Sequence, residues 1–290
     1  MDFALVWVAQ VTVLVTGAGG LVGSELARDQ RVTGLNRAAL DVTDADAFAR
    51  ALRLHRPSAV INAAAQAGVD RAEREVRLTT EVNAVAPGVM ARIAAEEGVR
   101  FVHLSTDYVL DAPESDRLDE SMIPNPRSTY ARTKLDGEAG VLTAGGTVVR
   151  LQWVYQPGER GFFNRALAAM RRGEPVRLVT DQVGCPTPAQ LLAPALIAIA
   201  GAGPVGLFHL ATAGEATAFE WIQAGAEAMG VEFRAIPARR SDFEGAHRPA
   251  RSVLDSSKVA AAWGIKLPQW RRALQTVVCG SDRMNAGAVL

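Results

Sequence analysis

Val11-Thr12-Val13-Leu14-Val15-Thr16 runs straight into Gly17-Ala18-Gly19-Gly20-Leu21-Val22-Gly23. A short β-branched run that meets a glycine cluster and then an amphipathic stretch, residues 21–27, reads as the first strand, turn and helix of a parallel sheet. The glycines are spaced G-x-x-G-x-x-G. Gly17 permits the tight turn, Gly20 lets a ligand approach the backbone, and Gly23 lets the helix pack close to the sheet. A helix that opens after such a turn leaves backbone N–H groups free where a pyrophosphate can sit.

Working outward, the same rhythm recurs. Residues 32–35, 59–64 and 100–105 read as strands, residues 45–54 and 81–97 as helices. Strands alternating with helices imply right-handed crossovers and a parallel sheet covered on both faces. The alternation is lost after Arg150, so the expected organisation is a cofactor-binding domain over residues 1–150 and a smaller lobe over 151–290. One return of the chain to the sheet is expected within 184–212, at strand 205–210. Helices are expected over 218–229, 256–263 and 269–278, with a tail after Gly280 short and polar enough to fray.

Composition excludes several classes. Lys plus Arg and Asp plus Glu each total 31 in 290 residues, a net charge of zero, so no global field favours nucleic acid or an anionic membrane. The longest run without a polar side chain, residues 191–208, is broken by Pro194, Gly201, Gly203, Pro204 and Gly206, and reads as a buried helix, turn and strand rather than a membrane span. Asp2 stands where a signal peptide needs a basic region, which places the protein in the cytoplasm. Cys185 and Cys279 have neither zinc nor redox spacing and read as inert thiols. The first ten residues match no motif and read as an alternative start.

Two further places carry chemistry. At the end of the second strand, where an acidic residue would select a free ribose 2′-hydroxyl, stand Asn36 and Arg37. Arg37 can pair with a 2′-phosphate that Asn36 does not repel, which favours NADPH while leaving NADH open; Asp41 and Val42 border the adenine. Farther on, Tyr130-Ala131-Arg132-Thr133-Lys134 puts a phenol and an ammonium on one helical face. With three lysines and three tyrosines in the chain, random placement gives that spacing about 3% of the time. A free tyrosine titrates near about 10, so it exchanges protons poorly at pH 7 unless a cation such as Lys134 favours its phenolate. The strand through His103 turns polar at Ser105-Thr106-Asp107-Tyr108, at the carboxyl end where open parallel sheets bind ligands, so Thr106 is placed to donate to a substrate oxygen. His103 itself reads as a satisfied core histidine.

Together these motifs resemble the extended short-chain dehydrogenase/reductases, and within them the dTDP-4-dehydrorhamnose reductases. The resemblance runs over residues 11–278 and also includes Asn62-Ala63-Ala64-Ala65, Val69-Asp70-Arg71-Ala72-Glu73, Gly137-Glu138, Trp153-Val154-Tyr155, Asp181-Gln182 through Thr187, and Arg248-Pro249. It implies a Rossmann-type doubly wound sheet with a smaller C-terminal α/β substrate lobe. It also implies pyrophosphate contacts from Gly20, Leu21 and Val22, a cofactor midsection along Ala65, Gln66 and Ala67, and sugar contacts from Thr106, Asp107 and Trp153. Three departures border those sites: Gln66-Ala67-Gly68 replaces an aromatic or His followed by Thr, Gln152 replaces a small residue, and Leu110 replaces an aromatic. Some family members hold magnesium between subunits; Glu25 fits one such place and Gln190 occupies another, so no metal is expected.

The implied reaction is reduction of the 4-keto group of a dTDP-4-keto-6-deoxyhexose, with hydride from the nicotinamide and a proton from Tyr130. Related dehydratases usually place Glu after the Thr-Asp pair to abstract a carbon-bound proton; Tyr108 is here instead, which argues for reduction without elimination. Two alternatives remain at this level. One is a 4-ketoreductase for a different nucleotide-deoxysugar of secondary metabolism. The other is a non-catalytic subunit like the regulatory subunit of methionine adenosyltransferase, which also resembles these reductases. The expected assembly is a monomer or homodimer.

Overall fold

The computed structural model describes residues 11–112, 117–158 and 160–286, with side chains through 278. The central sheet holds β1 (Val13–Thr16), β2 (Val32–Leu35), β3 (Ala59–Asn62), β4 (Arg100–Thr106), β5 (Thr147–Leu151) and a sixth strand, Gly206–Leu210. From one edge the order is β2, β1, β3, β4, β5, then the sixth strand, and every pairing is parallel. This is the doubly wound Rossmann arrangement, in which the order reverses between β1 and β3 and opens a crevice at the carboxyl ends of the strands.

Alternation along each strand divides the core in two. Val13, Val15, Ala59, Ile61, Val102, Leu104, Val149 and Leu151 face one layer, where the apolar Ala189–Gly201 helix packs through Leu192, Leu196 and Ile199. Leu14, Val60, Phe101 and Val148 face the other, against Phe48 and Leu52 of the Ala45–His55 helix and Met90 of the Ala86–Glu96 helix. Continuing this second alternation toward the carboxyl ends reaches Thr16, Asn62, His103, Ser105 and Arg150, all buried. That polar layer faces the Thr129–Thr143 helix.

The expected helix over 81–97 contains a wider turn: Glu81–Val85 is a π-helical segment leading into Ala86–Glu96. Pro87 has no N–H to give the Asn83 carbonyl four residues earlier, so an ordinary turn cannot close there. The freed carbonyl meets Gly137 of the neighbouring helix so closely that a Cβ would lie 2.1 Å from it. A second correction concerns the end of the chain. The last helix, Trp270–Ala286, continues past Gly280 rather than fraying there. Residues 1–10 and the side chain of Cys279 lie outside the described residues.

Beyond Leu151 the chain forms two-stranded ribbons and a second core. Val176–Val179 pairs with Ala235–Ala238, Val154–Tyr155 with Thr187–Pro188, and Val183–Gly184 with Ala216–Thr217. The core gathers Tyr155, Phe163, Leu167, Met170, Trp221, Ile222 and Leu274. Cys185 is buried, its thiol pushed up to about 12 by burial, which makes it a poor nucleophile. No helix among the described residues is long and apolar enough to cross a membrane.

Candidate active site

Two cavities meet the carboxyl edge of the sheet. The smaller, about 270 Å³, is lined by Gly17, Gly19, Gly20, Arg37, Leu40, Asp41, Val42, Ala65, Gln66 and Arg71 among others. Gly17 adopts a φ of +71° and presses so near Ala64 that a Cβ would sit 2.5 Å from its nitrogen; a Cβ on Gly23 would lie 2.2 Å from the Gly17 carbonyl. The turn is therefore open only to glycine. Gly20 caps the following helix without a side chain, leaving its first N–H groups for a ligand. The residues present fit a dinucleotide pyrophosphate.

Several expected cofactor residues thus share one cavity: Gly17, Gly20, Arg37, Asp41, Val42, Ala65 and Gln66. Others do not line it. Asn36 turns its Oδ1 back to accept from the Ala38 and Ala39 N–H groups, Leu21 lies 3.8 Å from a Cβ placed on Gly161, Val22 packs on the core, and Ala67 is exposed. Asp41 accepts from the Thr43 N–H and hydroxyl, which hold its carboxyl below the usual range. The loop itself is tied by Asn83 of the π segment, whose Oδ1 accepts from the Gln66 N–H at 2.8 Å while its Nδ2 donates to the Gln66 carbonyl.

The larger cavity, about 630 Å³, is walled by Tyr108, Trp153, Tyr155, Phe162, Phe163, Trp221 and Phe243, with Arg165, Arg177, Arg240 and Arg248 around them. Arg248 is clamped bidentately to Asp70 at 2.7 and 3.2 Å, which joins two motifs far apart in the chain. Trp153 holds a φ of +39° and its ring covers Gly184, where a Cβ would come within 2.6 Å of the indole. Its ring centre is 5.9 Å from that of Trp221. The four arginines come from separated segments in an arginine-rich chain, so no local spacing announces them; only Arg248-Pro249 stood out as a motif.

Tyr130 and Lys134, on the Thr129–Thr143 helix, line neither cavity; Tyr130 reaches the larger one through its contact with Tyr108. Ser128 caps their helix by accepting from the Ala131 N–H, and Glu73 accepts from both the N–H and the hydroxyl of Thr129 at 2.8 and 2.6 Å. The neighbouring ring of Tyr108, edge-on to Tyr130 with centres 6.0 Å apart, lines the larger cavity. Burial pushes the Tyr130 phenol up to about 12, opposed by a hydrogen bond from Thr106. Lys134 is buried, its Nζ donating to the Leu104 carbonyl at 2.6 Å; burial brings it down to about 7, opposed by the charge of Glu138.

Thr106 ends β4 and Asp107 follows it, and neither lines either cavity. Asp107 turns inward: Oδ2 accepts from Ser252 Oγ at 2.6 Å and Gln152 Nε2 at 3.1 Å, and Oδ1 accepts from Thr106 Oγ1 at 3.1 Å. Burial raises its carboxyl to about 6 despite those donors. Behind Lys134, Arg150 is bidentate to Glu138 at 2.9 and 2.7 Å, with Ser105 donating to the same carboxylate at 2.5 Å. Glu25, on the opposite side of the glycine turn, accepts from Arg28 and Gln156.

Comparison with known proteins agrees with this geometry. Residues 11–282 match the family described as RmlD substrate binding domain. The chain is 37% identical over 280 residues to dTDP-4-dehydrorhamnose reductase of Mycolicibacterium smegmatis, covering 92% of this chain and 84% of that one. It is 37% identical over 278 residues to a probable dTDP-4,6-dihydroxy-2-methyloxan-3-one 4-ketoreductase of Streptomyces antibioticus, covering 90% and 92%. The crystal structure of a dTDP-4-dehydrorhamnose reductase from Clostridium acetobutylicum superimposes with a TM-score of 0.87 at 28% identity, covering 94% of this chain and 100% of that one. The chain belongs to the dTDP-4-dehydrorhamnose reductase family.

Proposed function

We propose that the protein is an NADPH-dependent oxidoreductase that reduces the 4-keto group of a dTDP-4-keto-6-deoxyhexose. The observation that supports this reading is the contact of Tyr130, four residues before the buried Lys134, with Tyr108 in the wall of the aromatic, arginine-bearing cavity, in a fold that also holds a glycine-lined cavity fit for a dinucleotide. A bound nicotinamide supplies hydride to the carbonyl carbon. The chain supplies the rest: Tyr130 gives a proton to the carbonyl oxygen, Thr106 donates a hydrogen bond to it, and the Lys134 ammonium holds the ribose and favours the phenolate that Tyr130 becomes. In the free site the single Thr106 hydroxyl proton goes to Asp107, so the hydroxyl must turn from Asp107 to the carbonyl oxygen when substrate binds; Asp107 itself does not meet the sugar. Residues 1–150, with the returning 184–212 segment, serve the cofactor and 151–290 the sugar nucleotide. There the aromatic wall suits a thymine and sugar face, and Arg165, which has no ion-pair partner among the described residues, suits a diphosphate.

The test is NADPH oxidation dependent on an enzymatically prepared dTDP-4-keto-6-deoxyhexose; NADPH left unconsumed in its presence contradicts the proposal. Arg37 lines the cofactor cavity and is exposed, free to meet a 2′-phosphate. Arg37→Ala is expected to lower the ratio of NADPH to NADH affinity about tenfold, as befits one charged hydrogen bond. Titrations that give an unchanged ratio make Arg37 a surface arginine.

Trp153 is half-buried, so its two roles overlap. Trp153→Ala is expected to cut kcat/KM for the ketosugar and to leave NADPH affinity as it was. Its stability cost is expected near 2 kcal/mol, on the order of half that of a fully buried tryptophan. Normal kcat/KM in the folded variant removes Trp153 from the sugar site.

A further inference from the structure

The polar layer behind Tyr130 is oriented, and its orientation bears on the charge of Lys134. Besides the Leu104 carbonyl, Lys134 Nζ has one partner among the described residues, His103 Nε2, at 2.9 Å. Which of the two donates is decided further back. The Ala64 N–H, a donor only, lies 3.1 Å from Asn62 Oδ1, and the Thr16 hydroxyl lies 2.7 Å from the same oxygen. Asn62 must therefore present its NH₂ to His103 Nδ1, 3.1 Å away. An amide NH₂ only donates, so Nδ1 accepts and carries no proton. The proton of a neutral imidazole is then on Nε2, pointing at Lys134. An ammonium has no lone pair to receive it; an amine has one. A doubly protonated imidazole would set an N–H against the Asn62 NH₂, and burial keeps His103 well below its usual range.

We propose that Lys134 is an uncharged amine in the cofactor-free protein, held so by the chain Ala64 N–H to Asn62 to His103 to Lys134, and that it takes up a proton from water when the nicotinamide cofactor binds. The second half rests on the reading above that Lys134 meets the cofactor ribose, whose hydroxyl oxygens accept from an ammonium. His103 is then a positioning residue: it receives Lys134 in one state and releases it in the other. The catalytic cation exists only when hydride is at hand.

In the free state the surroundings offer an ammonium no unpaired counter-charge, the nearest, Glu138, being already committed. On its own helix Glu138 is tied to Arg150 of β5. Glu73, from the helix before, is bound to Thr129, and Asp107 after β4 is bound to Ser252 and Gln152. The phenols of Tyr108 and Tyr130 are pushed up by burial and remain neutral. Glu81, Arg92 and Glu96, on the π segment and the helix following it, are solvent-exposed.

The chain has only three lysines and four histidines, which makes the test direct. Lysine labelled with ¹³C at Cε reports each ammonium by NMR, and Lys258→Arg and Lys266→Arg assign Lys134 by elimination. In the cofactor-free protein Lys134 is expected to titrate near pH 7, about three units below an ordinary lysine. Saturating NADH, chosen because it lacks a titrating 2′-phosphate, is expected to move that titration above about pH 9. ¹⁵N-histidine spectra are expected to show His103 protonated at Nε2. His209, which accepts from Arg150 at Nε2 and donates from Nδ1 to the Leu118 carbonyl, should show the opposite tautomer. A cofactor-free Lys134 still charged at about pH 9, or His103 protonated at Nδ1, overturns the proposal and leaves the Tyr130 mechanism standing. A neutral Lys134 that saturating NADH does not shift overturns the linkage, together with the placement of Lys134 at the ribose.

Discussion

Tyr130→Phe is expected to bind NADPH like the wild type, to unfold at the same urea concentration, and to lose about 10²- to 10⁴-fold in kcat. The ring keeps its edge contact with Tyr108, and the helix keeps its Ser128 cap and its Glu73 anchor, so packing and cofactor geometry have no reason to change. What disappears is the proton donor. With its phenol pushed up to about 12, Tyr130 is fully protonated at neutral pH, the form required of an acid in carbonyl reduction. Removing that proton leaves the carbonyl oxygen with only the Thr106 hydroxyl while negative charge develops on it. Steady-state turnover close to wild type in the folded variant would refute the role assigned to Tyr130.

The largest stability effect is expected at Arg150. Arg150 and Glu138 are each at most 2% exposed, and Nε and Nη2 of Arg150 donate to the two carboxylate oxygens of Glu138. A buried pair of this kind adds little over a well-packed apolar substitute, because both charges lose their water, but breaking it strands the survivor. Arg150→Met leaves the Glu138 carboxylate with Ser105 alone and is expected to cost about 3–5 kcal/mol in urea unfolding. Arg150→Met combined with Glu138→Leu should recover a large part of that loss, since no charge is then left unpaired. A single variant within about 0.5 kcal/mol of wild type would show the pair to be incidental.

The parallel sheet was legible because its signals are local. Strand alternation, the glycine turn and the absence of any polar side chain in residues 191–201 each declare themselves within a few residues. Apolar periodicity at residues 81–97 could not separate an α-helix from one holding a π turn, for the two differ by a single residue in spacing; Pro87 was the available signal. At the C-terminus, Gly280 reads as a stop only if glycine propensity decides, and the structure continues the helix through it.

At the candidate site the difference is one of range. The Tyr130–Lys134 spacing lies inside one helix and was readable. The inward turn of Asp107 depends on Gln152 and Ser252, 45 and 145 residues away, so a motif that pointed it at the sugar gave no warning. His103 could be read as a satisfied core histidine from alternation alone, and both its ring nitrogens are indeed bonded. That one of those bonds reaches Lys134 follows only from the packing of the Thr129–Thr143 helix on β4.

The account stands most directly on where the hydride goes. NADPH deuterated at the transferable position of the nicotinamide, incubated with the protein and a dTDP-4-keto-6-deoxyhexose, should yield a dTDP-6-deoxyhexose carrying deuterium at C4, as read by NMR of the isolated product. The configuration at C4 then follows from the same spectrum. Substrate returned unreduced, or deuterium at any carbon other than C4, would contradict the proposed reaction.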